Sequence, residues 1–135
     1  LNMDLKDLIP TTNTVDVGLL HPFSEEPLLN DDGTPMSITL YAAHSKEYKA
    51  ALHEQTNIRL KKAQDNKGKI ELTAEEMEES NIHLIAKATK TWNLTFDGDS
   101  PDFTVAKAKE LYDEVFWMRG QIEEALANSL DFTKT

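Results

Sequence analysis

Apolar residues recur in this chain first with a strand period and then with a helix period. Val15-Asp16-Val17 alternates, and Met36-Ser37-Ile38-Thr39-Leu40-Tyr41 alternates more cleanly and is rich in strand formers. Val15–Leu20 and Met36–Tyr41 are therefore predicted to pair, with a third short segment around Leu28. Between them Asn30-Asp31-Asp32-Gly33-Thr34-Pro35 is a turn cluster, because Asn, Asp and Gly tolerate left-handed backbone and Pro fixes φ. Upstream, Asp4–Ile9 reads as one helical turn stopped by Pro10, and Thr11–Thr14 as a linker.

From Ser45 onward the period is helical. Ser45 is placed to cap a helix from Lys46 to about Gln64, with a modest stripe of Tyr48, Ala51, Leu52 and Ile58. Gly68 is placed to close it, and 69–72 reads as an extended link. Thr73-Ala74-Glu75-Glu76 is a capping box opening a second helix to about Thr91, with Met77, Leu84, Ile85, Ala88 and Trp92 on one face. Asp97-Gly98 is a turn, and Asp102 or Thr104 caps a third helix, Val105–Val115, that buries Ala108, Leu111, Tyr112 and Val115. A bend is expected near Phe116. Beyond it Trp117, Met118, Ile122, Ala125, Leu126, Ser129 and Leu130 continue an amphipathic helix, with Gly120 either permitting close approach or merely tolerated.

These elements predict a mainly α, four-helix-type domain with a small N-terminal β-hairpin or ribbon as a minor α+β component. Residues 1–135 form a single domain, with 1–43 a strand-rich arm and 44–135 a helical body. A two-stranded ribbon alone is marginal in water, so it must pack on the helices or be completed by a partner.

Charge narrows the partners. The net charge of −10 argues against non-specific nucleic-acid binding, which needs basic surface to displace counterions. The absence of cysteine excludes disulfides and thiolate metal sites. No apolar run is long enough to span a membrane, and no secretory leader is read at the N-terminus. Within the acidic chain, Lys46–Lys67 is the most basic stretch, and Glu75, Glu76, Glu78 and Glu79 crowd the next helix start. Lys61 and Lys62 against Glu75 and Glu79 are thus candidate self-association residues, attracting either within one chain or between neighbours.

No catalytic constellation is readable. His21, His44, His53 and His83 are scattered, and His53-Glu54 lacks the second histidine of a zinc-protease helix. Asp31-Asp32-Gly33 and Asp97-Gly98-Asp99 lack the ligand alternation of a calcium loop. No phosphate loop or nucleophile elbow appears, and no cofactor is expected. A polar cleft joining His44, His53 or His83 to a carboxylate would reopen an enzymatic reading.

In the C-terminal half, from about Ile82 to Phe132, a helix ends in Lys90-Thr91-Trp92, and Leu94-Thr95-Phe96-Asp97-Gly98 follows. Asp102-Phe103-Thr104 opens a helix with Glu110-Leu111-Tyr112, and Phe116-Trp117-Met118-Arg119-Gly120-Gln121-Ile122 leads to Asn128 and Phe132. In this order of features the C-terminal half resembles the tail assembly chaperones of long-tailed bacteriophages. The resemblance implies a non-enzymatic helper of the host cytoplasm, absent from the mature virion. Such a helper binds the long helical tape measure protein and keeps it soluble, as a self-associating coat. It also implies contact with the tail tube protein through a longer frameshifted form. Trp117, Met118, Ile122 and Leu126 are the candidate partner face, with ordinary core as the competing reading. The rival function is an acidic protein-binding module or DNA-mimic inhibitor of a host protein. The clustering of acids at Glu75–Glu79 beside a basic helix counts against a mimic.

Overall fold

A computed structural model describes residues 4–9, 12–65, 67 and 72–129. The roles expected for Pro10, Thr11, Gly68, 69–71, Leu130 and Phe132 lie outside the described residues. The chain order is a 3₁₀ turn (Leu5–Leu8), β1 (Thr14–Gly18), β2 (Ser37–Tyr41), α1 (Lys46–Asp65), α2 (Ala74–Lys87), β3 (Thr89–Asn93), α3 (Val105–Glu114) and α4 (Trp117–Ala127).

The expected four-helix-type architecture with only a small hairpin is corrected. The fold is α+β, with, among the described residues, a three-stranded antiparallel sheet in the order β1-β2-β3 beside four α-helices. The predicted pairing of the first two strands is present, with Val17 opposite Ile38 and Val15 opposite Leu40. The overlooked strand is β3, drawn from what reads as the end of the second helix. Ala88 and Trp92 sit four apart and so extend the helical stripe. Thr89, Thr91 and Trp92 are nevertheless strand formers, and β2 offers them an open edge. Ile38 pairs with Trp92 and Thr39 with Thr91, and a register shift then sets Leu40 opposite Thr89. That irregularity lets Thr89 and Trp92, three residues apart, both turn inward. The strand therefore completes the ribbon from within the same chain, and the sheet joins the first 43 residues to the helical part.

The helix starts follow their local chemistry. Ser45 Oγ accepts from the Tyr48 amide at 3.1 Å. Both halves of the Thr73/Glu76 capping box are formed. Thr104, rather than Asp102, caps α3. At the end of α2, Thr89 Oγ1 donates to the Ile85 carbonyl at 2.8 Å, satisfying one of the acceptors that a helix terminus leaves open. Val115 leaves helical geometry at φ −96°, ψ 66°, which makes the expected bend.

One core cluster runs from Val17, Ile38 and Leu40 of the sheet through Ile85 and Ala86 of α2 to Leu111, Tyr112, Ile122 and Leu126. Helix α2 packs on α1, α3 and α4, and α4 also packs on β1. Met77, expected on the α2 core face, is exposed, because that stripe begins only at Ile82. A Cβ at Gly120 would meet nothing within 4 Å, so no close approach requires glycine there.

Candidate functional site

The loop from β1 to β2 is folded onto itself. Leu20 bridges to Pro27 and Leu29 to Pro35, which is the form taken by the short segment expected around Leu28. Asn30, only 8% exposed, holds this loop to the chain after β3. Its amide donates to Thr34 Oγ1 at 3.2 Å and Asn93 Oδ1 at 3.3 Å, and its carbonyl oxygen accepts from Thr95 Oγ1 at 2.7 Å. Gln121 of α4 grips the same loop from the other side. Its Oε1 accepts from the Leu20 amide at 3.0 Å, and its Nε2 donates to the Leu20 carbonyl at 2.9 Å.

Between these two attachments lies an apolar cleft of about 230 Å³. Leu19, Leu28 and Met36 line it from the loop, Leu94 and Phe96 from the segment after β3, and Leu111, Val115, Trp117 and Met118 from α3 and α4. The immediate chain neighbours of this lining are apolar and exposed: Leu20 at 38%, Leu29 at 57% and Phe116 at 66%. Phe116 stands at the bend, where Val115 has left helical geometry, so its spacing of four from Tyr112 does not carry it onto the buried face of α3. A floor of buried aliphatic groups with large exposed apolar side chains beside it is an arrangement for contact with another molecule. The cleft is smaller than the roughly 300–1,000 Å³ of small-molecule sites. Lys107 lies 5.6 Å from the Phe96 ring centroid and pairs with Glu110 at 3.4 Å.

The four candidate partner residues separate. Trp117 is partly buried and lines the cleft, and Met118 is buried beneath it. Ile122 is fully enclosed and Leu126 is 6% exposed, both within the core cluster. The stripe on α4 is turned toward β1 and α2, so Ile122 offers no outer face, while Leu126 reaches a separate groove beside Tyr48, Asn81 and Leu84. The four candidate self-association residues separate as well. Lys62 pairs with Glu76 inside the chain. Glu79 lines the groove between α1 and α2, and Lys61 and Glu75 are exposed.

That second groove, of about 210 Å³, is the polar one, and Gln55, Arg59, Lys62, Glu76, Ser80, His83 and Lys109 are among its lining. His83 Nε2 is 2.9 Å from Glu54 Oε1, so a histidine does meet a carboxylate here. Hydrogen bonding from His83 is the chief cause holding the Glu54 carboxyl below its ordinary value, with Lys87 and Lys109 adding to it. The Lys62 ammonium, then the Thr73 amide, does the same for Glu76. Ser80, one turn before His83, uses its Oγ to accept from Gln55 Nε2 at 2.9 Å rather than to bond the imidazole. Nucleophile activation needs that missing bond. No group of three or more potential metal ligands occurs among the described residues. The polar groups of the groove instead tie α1 to α2.

His44 Nε2 lies 2.9 Å from the Thr12 carbonyl, His53 is exposed on α1, and His21 Nδ1 accepts from the Phe23 amide at 3.1 Å. Among the described residues no helix is long and apolar enough to cross a membrane. Sequence reasoning missed the cleft because its lining comes from three distant segments. The available signal was Phe116, a large aromatic at the expected bend and off the stripe of α4. Comparison with family models, curated proteins and solved structures finds no match.

Proposed function

We propose that this chain is a non-enzymatic tail assembly chaperone of a long-tailed bacteriophage, holding apolar helical stretches of a tape measure protein in solution. The observation that carries the reading is the apolar cleft with Leu20, Leu29 and Phe116 exposed beside it. An amphipathic helix binds by placing one or a few apolar side chains in such a depression, with charge around the contact providing solubility. The residues of the resemblance support the same reading. Trp92, Phe103 and Tyr112 build the core behind the cleft, Phe96, Leu111 and Trp117 line it, and Gln121 fastens its loop. On this reading the protein works in the host cytoplasm and leaves before the virion is complete. Several copies share one extended client, and a longer frameshifted form contacts the tail tube protein.

Co-expression with a tape measure protein tests the proposal. The client is expected to move from the insoluble to the soluble fraction and to co-purify with this chain. A client that stays insoluble and is not retained would sink the reading.

A further inference from the structure

The groove between α1 and α2 holds more positive charge than the ties between the two helices use. Lys62 is matched by Glu76, and His83 by Glu54. Arg59 of α1 and Lys109 of α3 line the same groove and make no ion pair among the described residues. Glu54 is held down by His83, Lys87 and Lys109, and Glu76 by Lys62 and Thr73, so neither carboxylate answers to Arg59. The Arg59 Nε is itself buried, with no hydrogen-bond partner. A charged donor shut away from water without an acceptor is costly, and an acceptor arriving from outside accounts for it. A second donor is spare. Ser80 Oγ accepts from Gln55 Nε2, which leaves the Ser80 hydroxyl proton uncommitted.

Charge, shape and lining together narrow the acceptor. Arg59, Lys62 and Lys109 stand against Glu76 and Glu79, so a single negative charge brings the groove to neutrality, whereas a phosphate dianion overshoots. The planar guanidinium fork matches the two oxygens of a carboxylate. Ile58, 48% exposed, and Leu72 add apolar wall beside these charges. A volume of about 210 Å³ is below that of drug-sized sites and suits a carboxylate with few carbons.

We propose that this groove binds an organic monocarboxylate bearing a short branched aliphatic group. Arg59 is the principal contact, Lys109 and Ser80 are supporting donors, and Ile58 and Leu72 pack on the hydrocarbon. The carboxylate belongs either to a free acid or to a peptide chain end with an apolar last residue. Only Ala51 and Ala63 of α1 are buried, so an anion bridging α1 to α2 and α3 stiffens the helix that the core holds least. The groove shares no lining residue with the apolar cleft, and the proposal does not rest on the chaperone reading.

An NMR titration of the full chain with isovalerate, in low-chloride buffer at neutral pH, tests the proposal. Saturable shifts centred on Arg59, Ser80 and Lys109 are expected, and α1 amides should exchange more slowly in the saturated protein. Isovaleramide, which has the shape without the charge, and inorganic phosphate should each bind at least about tenfold more weakly. Arg59→Gln should weaken isovalerate binding roughly tenfold or more, the scale of a lost charge-assisted hydrogen bond. Arg59→Lys should restore only part of the loss, because it keeps the charge without the fork. Circular dichroism checks folding, and if Arg59→Gln fails that check, the exposed Lys109→Gln replaces it with an expected loss of about threefold. N-acetyl-alanyl-leucine separates the two sources: tighter binding than isovalerate assigns a chain end, and weaker binding a free acid. Unsaturable shifts scattered over surface lysines, isovaleramide or phosphate binding as well as isovalerate, or an affinity unchanged in the folded variant would each overturn the proposal.

Discussion

Trp92 sits where sheet, turn and α3 meet. Its ring meets Phe103 edge-on at 5.1 Å and Tyr112 at 6.3 Å, and its Nε1 donates to the Pro101 carbonyl at 2.8 Å. Trp92→Ala should cost roughly 3–5 kcal/mol in urea unfolding, the range for a large aromatic lost from a core. Tyr112 is a second dependence. Thr89 Oγ1 spends its proton on the Ile85 carbonyl, so the Tyr112 hydroxyl, 2.8 Å away, is the donor between the two. Burial pushes this phenol up to about 12. The folded state thus favours the neutral form. The stability from this shift is present below the ordinary value of 10.0 and is lost as pH rises through about 12. Phenolate absorbance should show Tyr48 and Tyr112, both raised by burial, titrating late, and Tyr112→Phe should remove the later step near 12. An unchanged late step in the variant would assign it to another residue. Single-residue chemistry was legible where it is local, as at Ser45, Thr73 with Glu76, and Thr104. Asn30 and Gln121 were not, since their partners are distant in the chain and any polar loop residue reads alike.

Among the elements, β3 and α1 depart most from what periodicity suggests. Thr89–Asn93 was hidden because Ala88 and Trp92 sustain a helical stripe, whereas the pairing with β2 leaves no local trace. Helix α1 was placed within a residue or so by its cap and length. What sequence alone left open was how little of it is buried. It is tied to α2 by Lys62–Glu76, His83–Glu54 and Gln55–Ser80. Amides of α1 should therefore exchange with solvent sooner than those of α2, and equal protection would contradict this attachment. Acid should loosen it further. Glu54 and Glu76 both ionise more readily in the folded chain than at the ordinary value of 4.5. Their contribution is present above that value and is lost as pH falls through the lowered folded values. Glu76→Gln keeps the capping partner but removes the ion pair with Lys62. The variant should melt slightly below wild type at neutral pH, with the gap closing in acid. A gap that persists at low pH would assign the effect to the cap.

The described residues combine an acidic surface, a basic helix and an apolar cleft. Sequence placed the aromatic cluster and the bend, and the resemblance ran through the residues that line and fasten the cleft. The four candidate partner residues divide, with Ile122 and Leu126 in the core cluster and Trp117 and Met118 lining the cleft. The central claim is that the cleft holds an apolar client. Its most direct test is the soluble fraction of a tape measure protein co-expressed with wild type, with Phe116→Asp, and with Met77→Asp as a matched control on the exposed start of α2. Wild type and Met77→Asp should keep the client soluble while Phe116→Asp, folded and equally abundant, does not. Equal solubility with Phe116→Asp would remove the cleft from the account, and an insoluble client with wild type would remove the chaperone reading itself.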